Sequence, residues 1–150
     1  MANGLYTTGT MLFALACEVL LKAAITNAGG TYGKQHDLRS LFDSLPEYLR
    51  ERILTDFEAK VDRASISGEE PRKAFLDLVE AAKNKFVSLR YGYENPPPQG
   101  EFTEEVDIGV IYAVLEANLS ELFGIQWESA QIYGGLVSAD QYSAPTTRKS

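Results

Sequence analysis

Pro71-Arg72-Lys73-Ala74-Phe75-Leu76-Asp77-Leu78-Val79-Glu80-Ala81-Ala82-Lys83-Asn84-Lys85-Phe86-Val87-Ser88-Leu89-Arg90-Tyr91 decides the fold class. Phe75, Leu78, Val79, Ala82, Phe86 and Leu89 recur at steps of three and four, and Tyr93 continues the row. Such spacing lines one face of a helix with 3.6 residues per turn. Proline suits the first helical position, where its missing N–H costs nothing. Downstream, Asn95-Pro96-Pro97-Pro98 stops the helix, because consecutive prolines remove donors and clash with the preceding turn. A helix is predicted over about 71–91.

Working outward, the same period appears on both sides. A first helix is expected over about Thr8–Ala28, ended by Gly29-Gly30-Thr31-Tyr32-Gly33. Asp37 is placed to cap a short helix through Phe42 or Asp43, with Leu38, Leu41 and Phe42 as its apolar face. Ser44-Leu45-Pro46-Glu47 reads as a capping box with proline at the first position. It opens a helix to about Arg63 that buries Tyr48, Leu49, Ile53, Phe57 and Val61. Ala64–Glu70 is a loop. A last long helix is expected over about Thr103–Phe123, carrying Val106, Val110, Tyr112, Ala113, Leu115, Leu119 and Leu122. No stretch alternates with the period of a strand. The expected architecture is all-α, an up-and-down four-helix bundle with an additional short helix over 1–126, followed by a weakly structured tail over 127–150.

Bulk properties bound the function. A chain of 150 residues fits one domain. Its net charge of −7 disfavours a broad nucleic-acid surface, which needs a basic face, but leaves room for a small local one. A single cysteine, Cys17, excludes an internal disulfide and suits a reducing, cytoplasmic setting. With one histidine and one cysteine no zinc site is expected, nor any cofactor. The apolar run Met11–Ile25 is interrupted by Glu18 and Lys22, so a core or dimer helix is expected there rather than a membrane span.

The polar residues of these helices are the candidate site. Glu18 and Lys22 lie about 40° apart on a helical wheel of largely apolar surroundings. Either they form an i, i+4 ion pair on a solvated strip, or Glu18 faces a polar pocket and orients another residue. Arg90 and Glu94 repeat the spacing, with Tyr91 and Tyr93 between them. They too form either a local ion pair or a held guanidinium presented to a phosphate. His36, the one histidine, is either a structural loop residue or a proton carrier; an up-and-down topology puts it near the end of the bundle where Arg90 lies.

Leu15-Ala16-Cys17-Glu18-Val19-Leu20-Leu21-Lys22-Ala23, His36-Asp37-Leu38-Arg39-Ser40-Leu41 and Phe86-Val87-Ser88-Leu89-Arg90-Tyr91-Gly92-Tyr93-Glu94 together resemble the HEPN superfamily, over roughly residues 11–123. The resemblance implies a helical bundle that usually dimerises. Many members are metal-independent ribonucleases in toxin–antitoxin or antiviral defence modules; others bind nucleotides or pair with nucleotidyltransferases. Catalytic members carry an Arg separated from a His by four to six residues. Arg90 matches the Arg, but Asn95, Pro96 and Pro97 occupy the histidine positions. The expectation is therefore a dimeric domain that binds RNA or a nucleotide phosphate through Glu18, Lys22, Arg90, Tyr91, Tyr93 and Glu94, with weak or no catalysis. The alternatives are a ribonuclease using His36 and Arg90, and a non-catalytic partner-binding protein.

Overall fold

The computed structural model describes residues 2–85, 87, 88 and 108–123, those before residue 8 as backbone only. Every regular element among them is helical. They are α1 (Ala2–Asn27), α2 (Leu38–Asp43), α3 (Glu47–Lys60), α4 (Pro71–Ala82), α5 (Ile108–Leu119) and a closing 3₁₀ turn, Ser120–Phe123. α1 packs most extensively along α5; α2 bridges α1 and α4, and α3 lies against α4 and α5.

One core joins these elements. Ala14, Cys17, Leu21, Ala24 and Ile25 of α1 meet Ile111, Val114, Leu115 and Leu119 of α5. Phe75 sits at the centre, its ring 5.8 Å from that of Phe42 and 5.1 Å from that of Phe57, both tilted as aromatic quadrupoles prefer. Arg72 ties α4 to α3 from outside, donating to Glu51 (2.8 Å), Glu58 (3.2 Å) and Thr55 (3.2 Å). Asn118 is the buried polar residue of α5 and is satisfied there, donating to Asp56 Oδ2 at 2.9 Å and to the Val114 carbonyl at 2.8 Å.

Several boundaries differ from the sequence expectation. α1 begins six residues earlier; no proline precedes Thr8 to stop it, and Asn3 and Thr7 lie inside the helix. α1 is also less enclosed than a helix apolar all round should be. Leu12, Phe13, Leu15 and Val19 are exposed, and only one face enters the core. Thr8–Asn27 is, among the described residues, long and apolar enough to cross a membrane by length and composition. Its charged pair, however, is engaged inside the fold, as described below.

Ser44 does not cap α3. Its N–H and hydroxyl close α2 instead, bonding the Ser40 carbonyl, and Pro46 occupies the cap position of α3 with no side-chain hydrogen bond. Tyr48 is 64% exposed rather than buried. The buried row of α3 is Leu49, Ile53 and Phe57, and Tyr48 stands a quarter turn away from it. α3 also ends earlier, at Lys60.

α4 starts as predicted at Pro71, with the Glu70 carboxylate accepting from Lys73 N–H. It does not run unbroken to Tyr91. At Lys83 and Asn84 the backbone tightens, and the freed Lys83 carbonyl accepts from Leu38 N–H at 3.1 Å. Helical bonding resumes with Ser88 N–H to the Asn84 carbonyl. A contact from the start of α2 thus interrupts a pattern that locally is continuous. In α5 the buried positions include Ile108, Ile111, Val114 and Asn118, whereas the expected Val110 and Tyr112 are only partly covered. Residues 89–107 and the segment from Gly124 onward, including the expected tail, lie outside the described residues.

Candidate functional site

The site begins on α1. Glu18 lies two turns before the helix ends, on the side turned toward the loop between α1 and α2, and is only 4% exposed. Lys22, one turn later, donates to its Oε1 at 2.6 Å. The loop then returns across this end of α1. Gly29 adopts the left-handed conformation (φ 78°), letting Gly30 N–H donate back to the Ile25 carbonyl at 2.9 Å. Gly33, at φ 56°, makes the second bend. Between them Tyr32 places its ring under Lys22, with Nζ 5.1 Å from the ring centroid.

Asp37 fixes the far end of the loop. Its carboxylate accepts from the N–H groups of Arg39 and Ser40, at 2.8 and 3.0 Å, and so anchors the start of α2. His36, immediately before that cap, reaches Glu18. Its Nδ1 lies 2.8 Å from Oε1, the same oxygen that Lys22 holds. A carboxylate can only accept, so Nδ1 is the donor and carries a proton. The imidazole is oriented by this bond, and its other nitrogen, Nε2, belongs to a side chain that is 55% exposed. One buried carboxylate therefore orients an ammonium and an imidazole together.

Glu18 Oε2 is buried and has no hydrogen-bond partner among the described residues. Such an oxygen in an otherwise satisfied cluster is costly. Lys34 sits two residues before His36 on the exposed loop. Among the described residues no group of His, Cys, Asp and Glu is arranged to hold a metal. Cys17, one residue from Glu18 but turned into the core, has its thiol pushed up by burial to about 12, so it is no nucleophile.

Beside the cluster runs an open groove of about 500 Å³, lined by Val19, Lys22, Ala23, Thr26, Asn27, Tyr32 and Phe123. Lys22 belongs to both the cluster and the groove.

Of the residues singled out from sequence, the structure brings Glu18, Lys22 and His36 into direct contact. Arg90, Tyr91, Tyr93 and Glu94 lie outside the described residues. Sequence reasoning passed over Tyr32 and Lys34. The available signal was their place in the only histidine-bearing loop, four and two residues before His36.

Chemically, the arrangement offers an oriented imidazole, a lysine with donors to spare and a flanking aromatic ring, all around one carboxylate. A sequence model of the HEPN domain matches residues 1–106, a span that includes α1, the histidine loop and the Arg90 segment. Comparisons with curated proteins and with solved structures find no match.

Proposed function

The chain belongs to the HEPN domain family, and from that membership and the geometry around Glu18 we propose that it binds the phosphate of RNA or of a nucleotide, with little or no catalysis of its own. The observation that carries this reading is the shared oxygen. Glu18 Oε1 holds Lys22 Nζ and His36 Nδ1 at hydrogen-bond distance, so two N–H-bearing groups are fixed side by side at the mouth of a loop. An ammonium has three donors, and Glu18 uses one of them. The rest suit an anion with several acceptor oxygens. The reading assigns Arg90, which lies outside the described residues, the part of a planar fork for a phosphate.

The overall charge of −7 gives no long-range attraction to a polyanion, so binding rests on this local site. The exposed apolar residues of α1 support a homodimer, and the family supports a place in a prokaryotic toxin–antitoxin or defence module in the cytoplasm, beside a partner such as a nucleotidyltransferase.

A second reading has its own observation. Because the carboxylate fixes the Nδ1–H, a neutral His36 presents a lone pair on Nε2, the state of a general base. Such a base could take the 2′-hydroxyl proton of RNA while Arg90 steadies the phosphate, giving metal-independent cleavage.

Mixed single-stranded RNA incubated with the protein, with and without chelator, separates the readings. Binding that is lost in Arg90→Ala, without cleavage in any sample, supports the first. Cleavage abolished by both His36→Ala and Arg90→Ala, and insensitive to chelator, establishes the second. RNA that neither binds nor is cut sinks both, and leaves a structural or partner-binding helical protein.

A further inference from the structure

We propose that the groove beside Lys22 is a base subsite, which seats one unpaired base of a single-stranded RNA whose phosphate lies at the Lys22–His36 cluster. This rests on the phosphate-binding reading above and adds to it the part of the ligand that is not phosphate.

Size is the first argument. The groove measures about 500 Å³, within the roughly 300–1,000 Å³ of small-molecule sites. A phosphate group held by Lys22 leaves most of that space empty. Lining is the second argument. Val19 and Ala23, one turn apart on α1, and the aromatic residues Tyr32 and Phe123 give it an apolar lining. Among the described residues no lining residue is acidic, in a chain whose net charge is −7. A flat apolar ring fits such a lining, and Asn27 supplies an amide with both donor and acceptor for its polar edge.

Lys22 links the two halves of the ligand. Its ammonium is held on one side by Glu18 and lies over the Tyr32 ring, so its position in the groove wall is set before any ligand arrives. A ligand that contacts Lys22 with an anion and continues along the groove with an aromatic ring satisfies both surfaces at once.

The groove's shape selects between a strand and a free nucleotide. Sites that retain a free small molecule enclose most of its surface, whereas this groove is open along its length. An open groove buries one side of a base, which suits one residue of a strand held also by its neighbours' phosphates. Bases in a duplex are stacked and paired and cannot enter it.

The test uses the full chain and three probes: a fluorescent six-residue oligouridylate, the same oligomer with abasic sugars, and uridine monophosphate as competitor. Ala23→Leu fills the groove without changing charge, and Phe123→Ala removes one lining ring. Base stacking of about 1–3 kcal/mol corresponds to roughly 5- to 150-fold in affinity. The oligouridylate is therefore expected to bind about tenfold or more weakly to Ala23→Leu and to Phe123→Ala. The abasic oligomer should bind wild type as weakly as those variants bind the intact one, and the monophosphate should compete poorly.

Circular dichroism melts confirm that the variants remain folded; if Phe123→Ala does not, the abasic oligomer on wild type carries the test alone. Equal binding of intact and abasic oligomers overturns the base subsite. If that equal binding is lost in Arg90→Ala, the phosphate reading survives without it. Strong competition by the monophosphate overturns the choice of a strand. No binding of either oligomer by wild type removes the phosphate reading, and the subsite with it.

Discussion

Glu18 is buried almost completely, and its pairing with Lys22 and His36 decides what substitutions around it will do. A carboxylate taken out of water is tolerated only when its partners remain. Lys22 is itself mostly covered, with 19% of its side chain exposed. Lys22→Met keeps the length of the side chain and removes the charge. The chain should then lose roughly 2–3 kcal/mol of stability, near the lower end of the cost of breaking a buried ion pair because His36 still donates to the carboxylate. Urea unfolding of the two proteins measures it; a midpoint unchanged by Lys22→Met means that the pair adds nothing.

Glu116, on α5, behaves in the opposite sense. Burial raises the pKa of its carboxyl above the ordinary value. Folding then favours the protonated form. Its contribution to stability is present below the unfolded-state pKa and is lost as pH rises through the higher folded-state value. At neutral pH the ionised Glu116 therefore weighs against the fold. Glu116→Gln should be more stable than wild type at pH 7, with the advantage shrinking as the medium becomes acid. Thermal melts of both proteins across pH 4–7 follow the difference; a gap that widens toward acid contradicts the sign.

Among the elements, the loop between α1 and α2 has the most to do with the site and the least regular structure. Two left-handed glycines bend it, and the Asp37 cap closes it. Asp37→Ala leaves the first N–H groups of α2 without their acceptor, at a cost of about 1 kcal/mol. The same change releases the backbone next to His36. Stability should fall by that amount, and nuclear magnetic resonance of the His36 ring should show its hydrogen bond to Glu18 becoming intermittent. An unchanged ring signal would mean that Glu18 alone fixes the imidazole.

Helix existence was legible in the sequence, because the three-and-four spacing of Phe75, Leu78, Val79 and Ala82 is a local property of the chain. The Asp37 cap was legible for the same reason: cap and capped N–H groups are three residues apart or fewer. The pause in α4 at Lys83 was not, since its cause is an N–H from Leu38, far away in sequence. Nor was the role of Ser44, where one hydroxyl had two helix ends to serve and bonded the earlier one. Glu18 stood out as a charge in an apolar helix, but its link to His36 crosses eighteen positions and depends on how two glycines turn the loop. Tyr32 had no periodic pattern around it, so only the folded loop reveals that it lies beneath Lys22.

For the whole molecule, the remaining physical problem is the outer face of α1. Leu12 is 57% exposed, Leu15 37% and Val19 55%, and Phe13 beside them packs against Tyr112 of α5 while staying 42% exposed. Leu12, Leu15 and Val19 follow one another at steps of three and four, so they form a continuous stripe rather than scattered contacts with water. A stripe of this kind on a small domain is a self-association surface when the partner presents the same stripe, as a two-fold axis requires. On α1, Leu15 is one turn from Glu18 and Val19 one turn from Lys22, so a dimer built on Leu12 and Leu15 would set the cluster and the groove at its rim. The expected outcome is a dimer at micromolar concentration in sedimentation equilibrium, and a folded monomer for the double variant Leu12→Glu, Leu15→Glu. A wild-type monomer at hundreds of micromolar would end the dimer proposal without touching the site. A variant that is monomeric yet binds RNA as wild type does would show that one copy holds the whole site.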